Sequence, residues 1–189
     1  LRLVEHYEEA LVAYDKAYDR IKVVQARHWL FFYNRGIALE RSKQWDRAEA
    51  DFLKALELFP EQPYVLNYLG YSWVERGKNL ERAQKMIERA VAQRRNDGYI
   101  VDSLGWVLYQ VGKYEKAVKQ LERAVRLRPH DPVINDHLGD AYWRAGRKLE
   151  AKFQWRRSLS LEPEMENQLK TQVKLEKGPG AAKPVGSGG

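Results

Sequence analysis

Cysteine is absent from the 189 residues of this chain, which excludes disulfides, thiol nucleophiles and cysteine-ligated metal sites. Long apolar runs are absent too. A membrane-spanning helix needs about 20 apolar residues, whereas the longest strong apolar run covers only Trp29 to Tyr33. Proline is scarce, and its seven residues fall at regular places, which suits helices with well-marked ends. Composition therefore favours a helical protein with no transmembrane segment.

Catalytic motifs are missing as well. The sequence contains no nucleophile elbow, phosphate loop or dinucleotide fingerprint. None of its four histidines has a partner at metal-ligand spacing. The nearest cluster, His137 with Asp136 and Asp140, lacks the fourth ligand of a closed zinc site. We therefore expect a protein that is not an enzyme and that has no cofactor and no metal site.

A regular repeat is the main feature that is present. Four glycines follow one another at steps of 34, 35 and 34 residues: Gly36, Gly70, Gly105 and Gly139. After each comes a pair of small residues seven positions apart with a large residue between them: Ala48–Phe52–Ala55, Ala83–Ile87–Ala90, Ala117–Leu121–Ala124 and Ala151–Trp155–Ser158. Seven residues is close to two helical turns, so each pair shares one helix face. A period near 34 residues predicts stacked helical hairpins, with the glycine and the small pair allowing close helix contact.

The spacing divides the chain into seven parts. They are a leading helix over about 3–24 within residues 1–28, four repeats at 29–62, 63–97, 98–131 and 132–165, a capping helix at 166–177 and a Gly/Pro/Ala-rich tail at 178–189, which we expect to be disordered. The loop Gly77-Lys78-Asn79 has one extra residue, which explains the single step of 35.

These residues resemble the tetratricopeptide repeat (TPR) family. The repeat at 98–131 fits the family pattern best, whereas the repeat at 29–62 has Arg35 where the family has leucine and Lys43 where it has glycine. The resemblance implies an all-α, right-handed superhelical α-solenoid of antiparallel helix pairs, in which the first helices line a concave groove. Residues 64–164 resemble the C-terminal part of proteobacterial multi-TPR proteins. That likeness implies a bacterial periplasm or cell-envelope location, with the cytoplasm as the alternative.

The leading helix is similar to the second half of a truncated repeat. Tyr7, Ala10, Tyr14 and Ala17 match a second helix whose first helix is missing, and the chain does not begin with methionine. We therefore expect a piece of a longer protein. An apolar strip of Leu3, Val4, Tyr7, Leu11 and Tyr14 should then be partly uncovered, and it favours a homodimer through this helix.

The groove that the resemblance implies is the candidate binding site. Its first-helix residues are rich in aromatic and acidic side chains, and the site residues that we select are Tyr33, Tyr71, Asp102, Trp106, Tyr109, Asp136, Asp140 and Trp143. We expect Tyr71, Trp106, Tyr109 and Trp143 to be exposed. Tyrosine and tryptophan dominate binding hot spots, so the leading hypothesis is a scaffold that binds a protein or peptide segment with basic and apolar residues.

Two other functions stay open at this point. One is self-association. The other is binding of an anionic surface, either lipid or nucleic acid, because the formal net charge is +7. Most basic residues lie on second helices, however, and are interleaved with glutamates. Because aromatics and bases fall on opposite sides, we expect no nucleic-acid binding.

Overall fold

The computed structural model describes residues 2–180, with side chains from residue 6 onward. The predicted tail residues 181–189 and the side chains of Leu3 and Val4 lie outside this range. The described residues form helices joined by turns and short irregular segments, with no strand. The helices are α1 (Arg2–Tyr18), α2 (Trp29–Arg41), α3 (Trp45–Leu58), α4 (Pro63–Glu75), α5 (Leu80–Gln93), α6 (Gly98–Gln110), α7 (Tyr114–Leu127), α8 (Pro132–Arg144), α9 (Lys148–Ser160) and α10 (Met165–Lys177), and a short 3-10 turn spans Ala26–His28.

Two compact units make up the chain. The first is Leu1–Leu69 and the second is Gly70–Gly189, so the division falls within α4. In the first unit α2 packs on α3, and in the second α6 packs on α7 and α8 on α9. Each pair is one predicted helical hairpin.

Side-chain caps start several of the first helices. Asp97 accepts hydrogen bonds from the amides of Tyr99 and Ile100 at 3.1 and 3.3 Å. Asp131 caps α8 in the same way and accepts hydrogen bonds of 2.9 and 3.0 Å from the amides of Val133 and Ile134. These caps satisfy donors that a helix start leaves unpaired, which is why short polar residues precede α6 and α8.

The predicted glycine contacts are present in both units. A Cβ added at Gly36 would lie 2.7 Å from Phe52, and one added at Gly70 would lie 2.8 Å from Ile87. Gly105 and Gly139 are closer still to the large residues of their own hairpins, Leu121 and Trp155. The small residues that flank these large side chains in α3, α5, α7 and α9 are fully buried or nearly so. Each glycine therefore makes room for the large residue of the following helix.

The leading helix is shorter than predicted. It ends at Tyr18 instead of about residue 24. The amide of Asp19 still bonds the carbonyl of Asp15 at 3.1 Å, but the next two amides bond carbonyls only three residues back. This tightening ends the helix, and a turn and the 3-10 segment lead into α2.

Candidate functional site

Tyr33 is the one predicted site residue in the first unit. Its half-buried ring lies 6.3 Å from that of Phe52 and meets that of Tyr68 edge-on at 6.0 Å. Burial, with a smaller effect of Tyr64, raises the pKa of Tyr33. Tyr68 in turn donates a hydrogen bond of 3.2 Å to Glu40. Tyr33 is thus part of an aromatic cluster between helices.

Trp106 lies at the centre of the predicted site in the second unit. Its ring is stacked on Tyr109 at 4.9 Å and on His137 at 4.1 Å. Its indole Nε1 donates a hydrogen bond of 2.5 Å to the exposed carboxylate of Glu75. These contacts hold the half-buried Trp106 ring in one orientation.

Asp102 is buried and paired with His137. The imidazole Nδ1 lies 3.0 and 3.1 Å from the two carboxylate oxygens. Burial alone would lower the pKa of His137, but the charge and the hydrogen bond of Asp102 outweigh it and raise the pKa to about 9. At neutral pH this is therefore a buried ion pair between α6 and α8.

Asp136 and Asp140 are held by the last helix, α10. Thr171 donates a 2.8 Å hydrogen bond to Asp136. Lys174 Nζ bonds Asp140 at 2.8 Å and also bonds Asp136. The buried Asp140 accepts a further bond of 3.0 Å from the indole of Trp155. Burial raises the pKa of Asp140 to about 6, and the charge of Lys174 works against that rise.

The predicted exposure of the four aromatics is wrong for Tyr109, and the other three are not fully exposed either. Tyr109 is only 5% exposed, because Trp106 covers one side and Tyr114 lies 5.7 Å away. Tyr71, Trp106 and Trp143 are half-buried. Burial, with Glu75 and Asp102 nearby, raises the pKa of Tyr71.

The acidic character of this face is smaller than the sequence suggests. Three of its carboxylates, Asp102, Asp136 and Asp140, are offset by two cations that contact them, His137 and Lys174. Glu75 is the exposed carboxylate beside the aromatic stack. A partner would therefore meet Glu75 more readily than Asp102, Asp136 or Asp140.

The structure also shows exposed apolar residues that we did not select from the sequence. Tyr99 and Val133 in the second unit are 51% and 38% exposed, and Leu30 and Tyr64 in the first are 47% and 39% exposed. Each lies six positions before its repeat's glycine, in the first turn of a first helix. Their common register was readable in the sequence, but their exposure follows only from the packing of the helix starts.

The described residues contain neither a metal-binding cluster nor a membrane-spanning helix. Among the described side chains, no group of three or more His, Cys, Asp and Glu residues is placed to hold a metal ion. Within residues 2–180, every helix is too short or too polar to cross a bilayer.

Family models match two parts of the chain. A model described as TPR repeat matches residues 105–146, and a tetratricopeptide repeat model matches residues 29–62. Both segments carry the tetratricopeptide repeat. The chain's ten described helices form the all-α fold of a TPR solenoid.

Known proteins with related sequences and structures carry the same repeat. A TPR repeat-containing protein of Pseudomonas aeruginosa, PA4667, is 30% identical over 81 residues, which cover 43% of this chain and 14% of that protein. MamA of Desulfovibrio magneticus RS-1 is 24% identical, with a TM-score of 0.69 over 82% of this chain and 85% of MamA. YrrB, a TPR protein with an unusual peptide-binding site, is 22% identical, with a TM-score of 0.66 over 91% and 86% of the two chains.

Proposed function

We propose that this protein is a non-catalytic scaffold that binds a segment of another protein on the face formed by α6 and α8. The observation that supports this proposal most directly is the exposure of Tyr99 and Val133 on these helices, at 51% and 38%. The half-buried Trp106 and the exposed Glu75 belong to the same unit. The likeness in fold to YrrB, a TPR protein with a peptide-binding site, supports the proposal.

Tyr99 has the properties of a binding anchor. An exposed tyrosine offers a large apolar area and a hydroxyl group with few side-chain torsions to freeze on binding. The guanidinium of Arg128 lies 4.7 Å from the Tyr99 ring centre, and this cation–π contact restrains the ring before a partner arrives. A restrained anchor loses less entropy on binding.

Glu75 sets the expected charge of the partner. Its carboxylate already accepts the indole hydrogen bond of Trp106, and it is exposed, so a cationic group can approach it. A lysine or arginine placed among apolar residues of the partner would complement Glu75, Tyr99 and Val133. Charge complementarity of this kind favours encounter and specificity.

The test is to pan a random-peptide phage library on the purified chain and to measure the affinity of the selected peptides. The Tyr99→Ser, Val133→Ser double variant should weaken them by about tenfold or more, since a hot-spot residue contributes about 2 kcal/mol. Both side chains are exposed, so the helical circular dichroism should be retained.

A matched control is available on α9. Leu149 and Phe153 are 83% and 66% exposed, and the Leu149→Ser, Phe153→Ser variant removes a similar apolar area elsewhere in the same unit. It should bind the peptides as the parent does. If this control loses binding and the Tyr99, Val133 variant keeps it, the α6–α8 face is not the binding surface. A third double variant, Lys119→Glu, Arg123→Glu, tests the basic second helices. If only this variant loses peptide binding, the peptides bind to those helices.

Self-association through α1 is a second candidate, and the uncovered face of this helix favours it. Ala17 is exposed and Ala10 is only half-buried, whereas the corresponding Ala48 and Ala55 of α3 are completely buried. Val12 is 57% exposed as well, whereas Leu11 of the predicted apolar strip is only 5% exposed, so that part of the prediction is wrong. Concentration-dependent sedimentation that is abolished by Ala17→Glu would support a homodimer through α1, and a monomer at all concentrations would contradict it.

A further inference from the structure

The C-terminal residues of the described chain lie on the predicted binding residues of α8. As shown above, Thr171 and Lys174 bond Asp136 and Asp140. Beyond α10 the chain continues onto the same helix, where Gly178 packs against the Trp143 ring. Arg144 Nη2 then donates a hydrogen bond to the carbonyl of Gly180. A segment of this chain thus already occupies a part of the face where a partner is expected.

Gly178 is required at its position for two independent reasons. Its φ is 77° and its ψ is 167°, a conformation that is essentially restricted to glycine. A Cβ at this position would also lie 2.5 Å from Cζ2 of Trp143. Pro179 follows and has a fixed φ. The segment therefore leaves α10 abruptly and passes over the indole with its backbone.

Arg144 has hydrogen-bonding capacity left for a longer ligand. Its Nε is buried and has no hydrogen-bond partner among the described residues. A buried unpaired donor is costly, whereas a second backbone carbonyl on an extended peptide would satisfy it. The Trp143 ring beside it is backed by Trp155 at 5.5 Å. An aromatic ring next to a free N–H donor is the arrangement that recognises extended glycine- and proline-containing backbone.

We propose that Trp143 and Arg144 form a subsite for an extended glycine- and proline-containing peptide, and that Gly178–Gly180 of the same chain occupies it in cis. The inference rests on the proposed function, because it assigns one part of the partner's binding surface. A partner gains the subsite by displacing the tail, while α10 and its bonds to Asp136 and Asp140 stay in place.

Covalent attachment explains how so short a segment, Gly178–Gly180, can stay bound at the subsite. A segment joined to its site by a short linker has an effective concentration in the millimolar range. It therefore fills the subsite even when the same peptide binds weakly from solution. Removing the tail from Trp143 should expose the subsite to a peptide added in trans.

The experiment compares the parent chain with the full-length Gly178→Val variant, using a synthetic peptide of residues 177–189 as the probe. Valine opposes the positive φ and meets the Trp143 ring, so it undocks the tail without changing α8. Calorimetric titration should show at least about tenfold tighter binding to Gly178→Val than to the parent. A chain ending at Lys177, which retains the ten helices of the described residues, should behave like Gly178→Val.

Two controls make the result specific. Gly186→Val changes another glycine of the tail and should bind like the parent. The double variant Gly178→Val, Arg144→Gln should bind the peptide no more tightly than the parent does. In addition, the NMR resonance of the Trp143 indole N–H should shift when the tail undocks. The proposal is wrong if the peptide binds neither Gly178→Val nor the shortened chain, or binds equally with Arg144→Gln.

The outcome is separable from that of the proposed function. If library peptides bind and depend on Tyr99 and Val133 but the tail peptide does not bind, only the subsite is refuted. The tail peptide could instead bind the uncovered subsite while library peptides either fail to bind the parent or bind without needing Tyr99. That result would support the subsite and refute the proposed binding face on α6 and α8.

Discussion

The hairpins at 29–62 and 98–131 form the same backbone structure with different chemistry at two positions. In the hairpin at 98–131, Leu104 precedes the packing glycine and Gly112 makes the turn; in the hairpin at 29–62, these positions hold Arg35 and Lys43. Both turns have a positive φ, 77° at Gly112 and 62° at Lys43. The comparison shows that one hairpin geometry tolerates a buried charge and a strained residue when the surrounding structure compensates.

Hydrogen bonds and an aromatic contact stabilise the buried charge of Arg35. Its guanidinium is buried and donates two hydrogen bonds to Asp51, at 2.7 and 2.8 Å. It also lies 4.5 Å from the ring centre of Tyr18. In the hairpin at 98–131 the residue that corresponds to Asp51 is Gln120. An ion pair in one hairpin therefore replaces a leucine–glutamine pair in the other.

Breaking this ion pair should have the largest effect. Arg35→Leu leaves Asp51 buried without its cation, and removing one partner of a buried pair costs about 3–5 kcal/mol. The free energy of unfolding from urea denaturation measures the loss. The double variant Arg35→Leu, Asp51→Gln copies the pair of the hairpin at 98–131 and should recover most of it. A single variant as stable as the parent would show that Arg35 and Asp51 do not interact in solution.

A change in pH should separate the two buried ion pairs. The pKa of His137 is raised from 6.5 to about 9, so protonation of His137 stabilises the fold fully below about pH 6.5 and this stability is lost as the pH rises through 9. We expect the free energy of unfolding to fall by on the order of 1–3 kcal/mol over that range. The hydrogen bond to Asp51 raises the pKa of Arg35 further, so the guanidinium stays charged over this range.

His137→Gln is the control for the pH effect. Asp102, Asp136 and Lys174 surround this imidazole, so the variant removes the group that titrates while leaving its charged neighbours. Its urea stability should change much less between pH 6.5 and 9. An equally steep decline in His137→Gln would assign the pH dependence to other groups.

The two turns should give the smallest effect. Lys43→Gly relieves a left-handed conformation that non-glycine residues adopt at a cost, and we expect a gain of about 0.5–1 kcal/mol in the free energy of unfolding. Gly112→Lys makes the reverse change and should destabilise the chain by a similar amount. Thermal denaturation of both variants is the measurement. The two variants should change the stability in opposite directions. A loss of stability in Lys43→Gly would mean that the lysine side chain stabilises its turn.

The fold was predictable because its determinants are local and repeat. Glycine at every 34 or 35 residues, with a small–large–small pattern on the next helix, specifies two faces that have to meet. The contacts of Gly36 with Phe52 and of Gly105 with Leu121 confirm this. The end of α1 was not predictable in the same way, since its apolar period continues to Ile21 while its hydrogen bonds tighten after Tyr18.

The candidate site was predictable only as a face. Sequence periodicity by itself determined that Asp102, Trp106, Asp136 and Asp140 lie on first helices and share a side of the chain. Only the tertiary structure decided what they contact, because most of their hydrogen-bond partners lie 31 to 38 residues away: Glu75 for Trp106, His137 for Asp102, Thr171 and Lys174 for Asp136, and Lys174 for Asp140. Helical spacing places a side chain to within a face. Which of several long side chains on the neighbouring helix reaches it depends on how those helices stack, and that is a property of the packed chain.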